Sequence, residues 1–283
     1  MDANKVWFIT GASKGLGLSL VKQLLAAGYK VAATSRNIDD LHRAVGPVDD
    51  FLPLAVDLKT ESSVAAAITG TIEQFGQIDV VVNNAGYGLL GSLEELTDEE
   101  ARENFDVNVF GTLNVIRQVM PHLRRQQSGH IFNISSIAGF SGSFPGWGIY
   151  CATKFAVEGF SESLANEVSD FGVNVTIVEP GYFRTEFLTA NSLTVPRHQI
   201  DAYEAVRQSQ TVHQQAINGN QQGDPEKAVA AIIQVASAPN PPLHLFLGQD
   251  AYDMAYAKMN AIQTDLETWK SLTVSTGFDM QPA

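Results

Sequence analysis

The run Val6-Trp7-Phe8-Ile9-Thr10 passes directly into Gly11-Ala12-Ser13-Lys14-Gly15-Leu16-Gly17, and this junction constrains the fold more than any other stretch. The first segment is short, apolar and rich in β-formers, which predicts a strand. After the glycines, Leu18, Leu20, Val21, Leu24 and Leu25 recur at helical spacing, and Gly28 closes the helix. A glycine turn between strand and helix lets the backbone approach a ligand. The helix N-terminus offers unpaired N–H groups and the positive end of a dipole, so the unit suits a pyrophosphate. The spacing is G-x-x-x-G-x-G rather than G-x-G-x-x-G, and a glycine turn by itself can be a tight connection and nothing more.

The strand–helix rhythm continues along the chain. Lys30–Ser35 is a second strand, followed by Arg36. Phe51–Val56 is a third, ending at Asp57-Leu58, and a helix spans Val64–Phe75. Ile78–Val82 is a fourth strand, apolar enough for burial on both faces. It ends in Asn83-Asn84-Ala85-Gly86, at the strand edge where open α/β sheets bind ligands. Thr97 and Glu100 form a capping-box pattern that opens a long helix from about Asp98 to Leu123. Asn108 and Gly111 sit poorly inside it, either as a tolerated surface pair or as a kink whose freed backbone groups face a site. His130–Ile134 is a fifth strand ending at Ser135-Ser136. A Gly/Ser/aromatic loop leads from there to Tyr150 and another helix. Asn174–Glu179 is a sixth strand, closed by Pro180-Gly181-Tyr182-Phe183-Arg184-Thr185.

Residues 186–222 read as an insertion with a helical stretch over 202–217 and no sheet strand, the usual form of a lid or binding loop. Asp224-Pro225 caps a helix to about Ala236, Leu243–Leu247 is a last strand, and 250–272 reads as one amphipathic helix. With no repeat and no linker, a single domain over residues 1–283 is expected.

Several features bear on chemistry. Tyr150 and Lys154 lie one helical turn apart on one face. An ammonium near a phenol favours the phenolate and can bring proton transfer toward neutral pH, although such a pair is commonly mere surface packing. An NAD site places an acid about 20 residues past the glycines; here Ser35 and Arg36 occupy that place, with Lys14 in the turn, which favours the 2′-phosphate of NADP(H). Asp39 and Asp40 come later and suit a helix start. Tyr87, Phe140, Phe144, Trp147, Tyr182 and Phe187 fall on loops at the predicted mouth, half of them as ordinary packing, and would make an apolar wall. The six histidines show no ligand spacing, so no metal is expected. Cys151, the single cysteine, excludes an intrachain disulfide and reads as a packing residue. A net charge of −13 argues against nucleic acid or an anionic membrane as partner. No run approaches a membrane span, and the start of the chain shows no export leader, so a cytoplasmic protein is expected.

Together these motifs, in order over Lys5–Leu247, resemble the short-chain dehydrogenase/reductase family: Thr10-Gly11-x-x-x-Gly15-x-Gly17, Asp57, Asn83-Asn84-Ala85-Gly86, Asn108, Ser136, Tyr150-x-x-x-Lys154 and Pro180-Gly181 with Thr185. Ser136 and Tyr150 are 14 apart, one more than the family's usual spacing. The resemblance implies a Rossmann-type, doubly wound, seven-stranded parallel sheet in three α/β/α layers. It implies hydride transfer between a nicotinamide dinucleotide and a carbonyl or alcohol. It assigns Tyr150 as the proton donor and acceptor, Lys154 as its tuner, Ser136 as the group orienting the substrate oxygen, and Asn108 as the holder of a water. The cofactor is expected on Gly11, Ser13, Lys14, Gly15, Leu16, Gly17, Ser35, Arg36, Asp57, Leu58, Asn84, Ala85, Gly86, Tyr150, Lys154, Pro180, Gly181 and Thr185. Substrate is expected at Tyr87, Ser136, Phe144, Trp147, Tyr150, Tyr182 and Phe187. The segment Tyr150–Gly159, with the helical tail, is similar to the hydroxysteroid and retinol dehydrogenase side of the family. A non-catalytic dinucleotide sensor of the same fold, or a 3-oxoacyl-type reductase, are the alternatives. Family members commonly pair as homodimers or homotetramers.

Overall fold

Successive residues of the first strand, β1 (Val6–Ile9), point to opposite sides and seed two cores. Trp7 and Ile9 pack with Leu20, Val21 and Leu24 of α1 (Gly15–Ala26), Leu41 of α2 (Ile38–Val45), and Val229 and Ile232 of α9 (Pro225–Val235). Phe8 packs on the other side with Val64 and Ile68 of α3 (Glu61–Phe75) and with Val115 and Val119 of α5. Leu164 and Val168 of α7 complete that second core. A strand buried on both faces cannot alternate apolar and polar residues, which is why β1 and its neighbour β4 read as continuous apolar runs.

The computed structural model describes residues 5–190 and 192–278. Met1–Asn4, the start of the chain at which no export leader is expected, lie outside the described residues. The strands are β1, β2 (Lys30–Ser35), β3 (Phe51–Ala55), β4 (Val80–Asn83), β6 (Gly129–Ile134), β7 (Val173–Pro180) and β9 (His244–Leu247). They form one seven-stranded sheet in the order β3-β2-β1-β4-β6-β7-β9, parallel at every pairing. The expected doubly wound, three-layer architecture is therefore observed. Order reverses between β1 and β4, which opens a crevice at the strands' C-terminal ends. β3 is an edge strand and contains Pro53. Val31 N donates to Asp50 O and Val56 N donates to Ser35 O, so the even-numbered residues of β3 face β2 and Pro53 faces outward. Its missing N–H removes no ladder bond.

Four elements depart from the sequence reading. The helix expected over Asp98–Leu123 is α4 (Asp98–Phe105), a π turn (Asp106–Phe110) and α5 (Gly111–Gln126). The interruption falls on Asn108. Gly111 lets the chain pass close to Leu58 there, since a Cβ would lie a tight 3.1 Å from Leu58 Cβ. The insertion does contain a strand: β8 (Leu193–Thr194) pairs in parallel with β5 (Gly88–Leu89). The helix expected at 202–217 is α8 (Glu204–Thr211), passing into a π turn over Val212–Ile217. The tail is two helices, α10 (Gln249–Thr268) and α11 (Lys270–Val274), with Trp269 between them.

Candidate active site

One cleft of about 1760 Å³ runs along the C-terminal edge of the sheet and gathers most of the residues expected from sequence. Gly17 and Asn108 are expected site residues that do not line it; both lie behind its wall. Phe140 is also outside, packed edge-on against Phe246 at a 5.3 Å ring separation.

The glycine turn forms one end. A Cβ on Gly17 would come within 2.6 Å of Asn84 Nδ2 and 2.7 Å of Gly11 O. Only glycine lets α1 start this close to β4. The Asn84 side chain uses the approach, donating to Thr10 O (3.0 Å) and Gly11 O (2.9 Å). Thr10 Oγ1 accepts from the backbone of Asn84 and Ala85. Asn84 is thus a buckle between β4 and the turn. At the start of α1, Lys14 supplies no side-chain cap and the first turn holds no acid. The helix N-terminus therefore faces the cleft uncompensated, a fit to a dinucleotide pyrophosphate. Arg36 is exposed on the same rim. Lys14 is lowered mainly by burial, opposed by Glu186 and reinforced by the charge of Arg36, so the two cations share one neighbourhood. Asn37 caps α2 by accepting from Asp39 N, which puts Asp39 and Asp40 in a first turn as expected. The Asp57 carboxylate is engaged locally, accepting from Lys59 N (3.1 Å) and the Thr60 hydroxyl (2.9 Å).

The reactive groups meet at mid-cleft. α7 (Gly148–Val168) carries Tyr150 and Lys154, and the one-turn α6 (Ile137–Phe140) begins at Ser136. The Ser136 hydroxyl accepts from Ala138 N at 3.1 Å and lies beside the Tyr150 phenol, despite the longer intervening segment. Tyr150 is buried, and burial pushes its phenol above the ordinary value while the neighbouring Ser136 hydroxyl opposes that. This corrects the expectation that Lys154 lowers it. Lys154 Nζ donates to Ile134 O at 2.7 Å and lies 5.9 Å from the phenol ring centroid, and its own pKa is brought down by burial to about 8. Burial is the largest cause of both shifts. The side chain of Asn108 grips the backbone of Tyr87, accepting from its N–H and donating to its carbonyl at 3.1 Å each, and also donates to Thr153 Oγ1. Its position in the π turn aims it at both β4's loop and α7.

The far end is aromatic. Trp147 and Phe187 sit 5.5 and 5.7 Å from the Tyr150 ring, and Phe144 and Tyr182 also line the cleft. His213 was not expected. Its Nε2 is 2.9 Å from the Tyr182 hydroxyl, its ring is 4.9 Å from that of Trp147, and burial keeps it below the usual histidine pKa. The insertion is held down by the acidic segment after β5. The buried Glu95 accepts from Ser92 N and Ile200 N at 2.7 Å and pairs with both carboxylate oxygens 2.8 Å from Arg207. Burial works against its charge, but these bonds prevail and hold it below the usual value. Glu100 accepts from Arg197 N, and Tyr203 donates to Glu94. Asp250 was also unexpected: it accepts from Tyr182 N at 2.6 Å and braces the Pro180-Gly181 turn, where a Cβ on Gly181 would meet its carboxylate at 2.3 Å.

Behind the site, Glu158, Glu179 and His244 converge from α7, β7 and β9. His244 Nδ1 is 2.8 Å from Glu179 Oε1. Burial, with the neighbouring Glu179, drives Glu158 up to about 8, and burial drives Glu179 to about 8 as well. Cys151 is buried, and its thiol is pushed up to about 11 by burial, in keeping with a packing role.

Residues 5–195 match the family model described as short chain dehydrogenase. The chain is 35% identical to oxidoreductase BOA17 of Botryotinia fuckeliana, covering 96% of this chain and 99% of that one. It is 37% identical to a 3-ketodihydrosphingosine reductase of Bacteroides thetaiotaomicron (86% and 88% covered). It is 39% identical to retinol dehydrogenase 8 of Bos taurus (66% and 61%). Among solved structures, a short-chain dehydrogenase of Streptomyces avermitilis superposes with a TM-score of 0.89 at 36% identity, covering 97% and 99%. Two more distant structures at 26% identity, each covering 86% of this chain and 96% of the other, carry different cofactors. A 3-ketoacyl-(acyl-carrier-protein) reductase of Brucella melitensis is complexed with NADH (TM-score 0.71), and ElxO has NADP bound (TM-score 0.70). The chain belongs to the short-chain dehydrogenase/reductase family and is an oxidoreductase. Its resemblance to the retinol dehydrogenase side of the family is reflected in these relatives. Among the described residues, no helix is long and apolar enough to cross a membrane.

Proposed function

We propose that this protein is an NADP(H)-dependent oxidoreductase that interconverts a carbonyl and a secondary alcohol on an apolar small molecule. The meeting of Ser136, Tyr150 and Lys154 at the midpoint of the cleft, between glycine turn and aromatic pocket, carries the reading. The glycine turn would hold a nicotinamide dinucleotide, whose bound nicotinamide would supply or accept the hydride. In reduction the Tyr150 hydroxyl gives its proton to the substrate oxygen, and in oxidation it takes that proton back. Ser136 donates a hydrogen bond to the same oxygen and fixes its direction. Lys154, anchored on Ile134 O, keeps a positive charge beside the phenol in a water-poor setting. Asn108 fixes the loop at Tyr87 against α7 and so sets the distance between the two halves of the site.

Arg36 with Lys14 favours the 2′-phosphate, since a guanidinium fork recognises phosphate by charge and geometry together. The aromatic wall favours an extended hydrophobic substrate, and the relatives named for retinol and 3-ketodihydrosphingosine act, by their names, on molecules of that kind. The net charge of −13 speaks against nucleic acid as a partner, and a cytoplasmic homo-oligomer is the form we propose.

NADPH consumption against a panel of aliphatic and aromatic ketones tests the proposal. Turnover is expected with apolar ketones and a loss of ~10²–10⁴-fold in Tyr150→Phe, with NADPH affinity retained. Near-normal turnover in that variant overturns the assignment.

A further inference from the structure

Three polar side chains meet behind the active site with little to satisfy them. Glu158 comes from α7, Glu179 from β7 and His244 from the edge strand β9. Among the described residues, this is the one group of three acids or histidines whose ligand atoms all lie within 4.8 Å of one another. Glu158 and Glu179 are 7% and 0% exposed. Neither Glu158 oxygen has a hydrogen-bond partner, and Glu179 Oε2 has none. The Ser135 hydroxyl beside Glu158 donates to Lys154 O instead. Among the described residues, both carboxylates form their ion pairs with His244 alone. Buried carboxylates so poorly partnered are costly, and such groups ordinarily pair with a cation or coordinate a metal.

We propose that Glu158, Glu179 and His244 form a binding site for a divalent transition-metal ion of the zinc class. The spacing suits such an ion. Its bonds to imidazole and carboxylate are ~2.0–2.2 Å, which sets tetrahedral ligand atoms roughly 3.4 Å apart. His244 Nδ1 lies 2.8 Å from Glu179 Oε1 and 3.8 Å from Glu158 Oε2, either side of that value. Movements of about half an ångström bring the atoms into place. Both Glu158 oxygens are open, so that carboxylate can supply the fourth bond. A Cβ on Gly139 would lie 2.8 Å from Glu158 Oε1, so the glycine leaves the carboxylate its place. A metal-bound histidine ordinarily donates its other ring N–H to a carboxylate. His244 Nε2 is 3.7 Å from Glu162 Oε1, which draws the proton to that nitrogen and frees the Nδ1 lone pair. Two carboxylates and a divalent ion sum to zero, so burial no longer opposes the charge. Calcium takes ~6–8 oxygens and magnesium keeps several waters, more than this enclosed set holds. Imidazole with carboxylate suits zinc. Glu179 and His244 are 65 residues apart, so no spacing in the sequence shows the set. An ion here clips β9 to β7 and to the helix that carries Tyr150 and Lys154. With the metal stripped, protons take its place on the carboxyls.

Untagged full-length protein, stripped with EDTA, reloaded with zinc and freed of excess, should hold one zinc per chain by elemental analysis. Added zinc should raise the melting temperature by ~5 °C or more, since an ion that binds only the folded chain stabilises it by mass action. Magnesium and calcium should leave it unchanged. Cobalt should show the visible absorption of a four-coordinate site. Glu158→Gln and His244→Asn should each weaken zinc by at least ~100-fold and abolish the cobalt band, whereas Glu162→Gln should show the ~10–100-fold loss of a supporting group. His198→Ala, at an exposed histidine of the insertion, should change neither. Far-UV circular dichroism and a cooperative melt report that each variant is folded. A wild type that takes up no zinc at micromolar concentration overturns the proposal and leaves a proton shared between the carboxyls. So does zinc uptake that survives both ligand substitutions, which places the ion on surface histidines, or an equal melting shift with magnesium.

Discussion

The two ends of the cleft are built from different kinds of interaction. At the glycine-turn end, backbone meets backbone: Gly17 lets α1 approach Asn84, and Asn84 ties Thr10 and Gly11 to β4. At the aromatic end, side chains hold a long insertion from a distance. Glu95 reaches Ile200 and Arg207, Glu100 reaches Arg197, and Asp250 reaches back to Tyr182. The first construction admits little variation, because a missing atom is what makes it work. The second tolerates any pair that satisfies the buried charge. A cofactor common to a family and a substrate particular to one member would be served by such a division.

Glu95→Ala should have the largest effect at the aromatic end. It leaves Arg207 partly buried without its partner, and breaking one side of such a pair costs ~3–5 kcal/mol. Chemical denaturation should show that loss, and KM for a ketone should rise while NADPH affinity stays within about threefold. If NADPH affinity falls in step, the two ends are not independent. Gly17→Ala is the converse case. Forcing a methyl into that contact costs ~1–3 kcal/mol, and titration should show weakened NADPH binding with the insertion's protection from proteolysis unchanged. Arg36→Ala is a subtler probe. Losing a charge-assisted contact of ~1.5–3 kcal/mol should weaken NADPH by ~10–100-fold and leave NADH nearly unaffected. Equal loss for both would remove the phosphate preference.

The smallest expected effect concerns the carboxyls behind the site. Glu158 and Glu179 titrate near 8 in the folded chain, well above an unfolded glutamate at 4.5. Between those values the native state holds more protons than the unfolded one, so stability falls as pH rises from 4.5 to about 8 and then levels off. Melting temperature should drop by several degrees from pH 6 to pH 8.5, and Glu158→Gln, which carries no charge to bury, should flatten that slope. An unchanged slope would place the pH dependence elsewhere.

This division also explains what the sequence made legible. The sheet, the glycine turn and the Ser136–Tyr150–Lys154 group are encoded in short patterns, because each depends on residues adjacent in the chain or one helical turn apart. Asn108 and Gly111 were visible as misfits in a helix, and the π turn is their explanation. His213, Asp250 and Glu95 carried no local signal, since their partners lie 31, 68 and 105–112 residues away. The strand at Leu193–Thr194 is two residues long and exists through its pairing with Gly88–Leu89, so periodicity could not find it. The tuning of Tyr150 was misjudged for the same reason: spacing showed the lysine, but burial depends on the whole fold.

Pro53 has a consequence for the behaviour of the protein in a crowded solution. An open parallel sheet ends in a strand whose outward donors and acceptors could recruit a foreign strand and begin a fibril. On β3 the outward position at 53 carries a ring where a donor would be, so the ladder cannot be copied onto another chain at that point. Growth along this border of the sheet is interrupted at the level of a single atom.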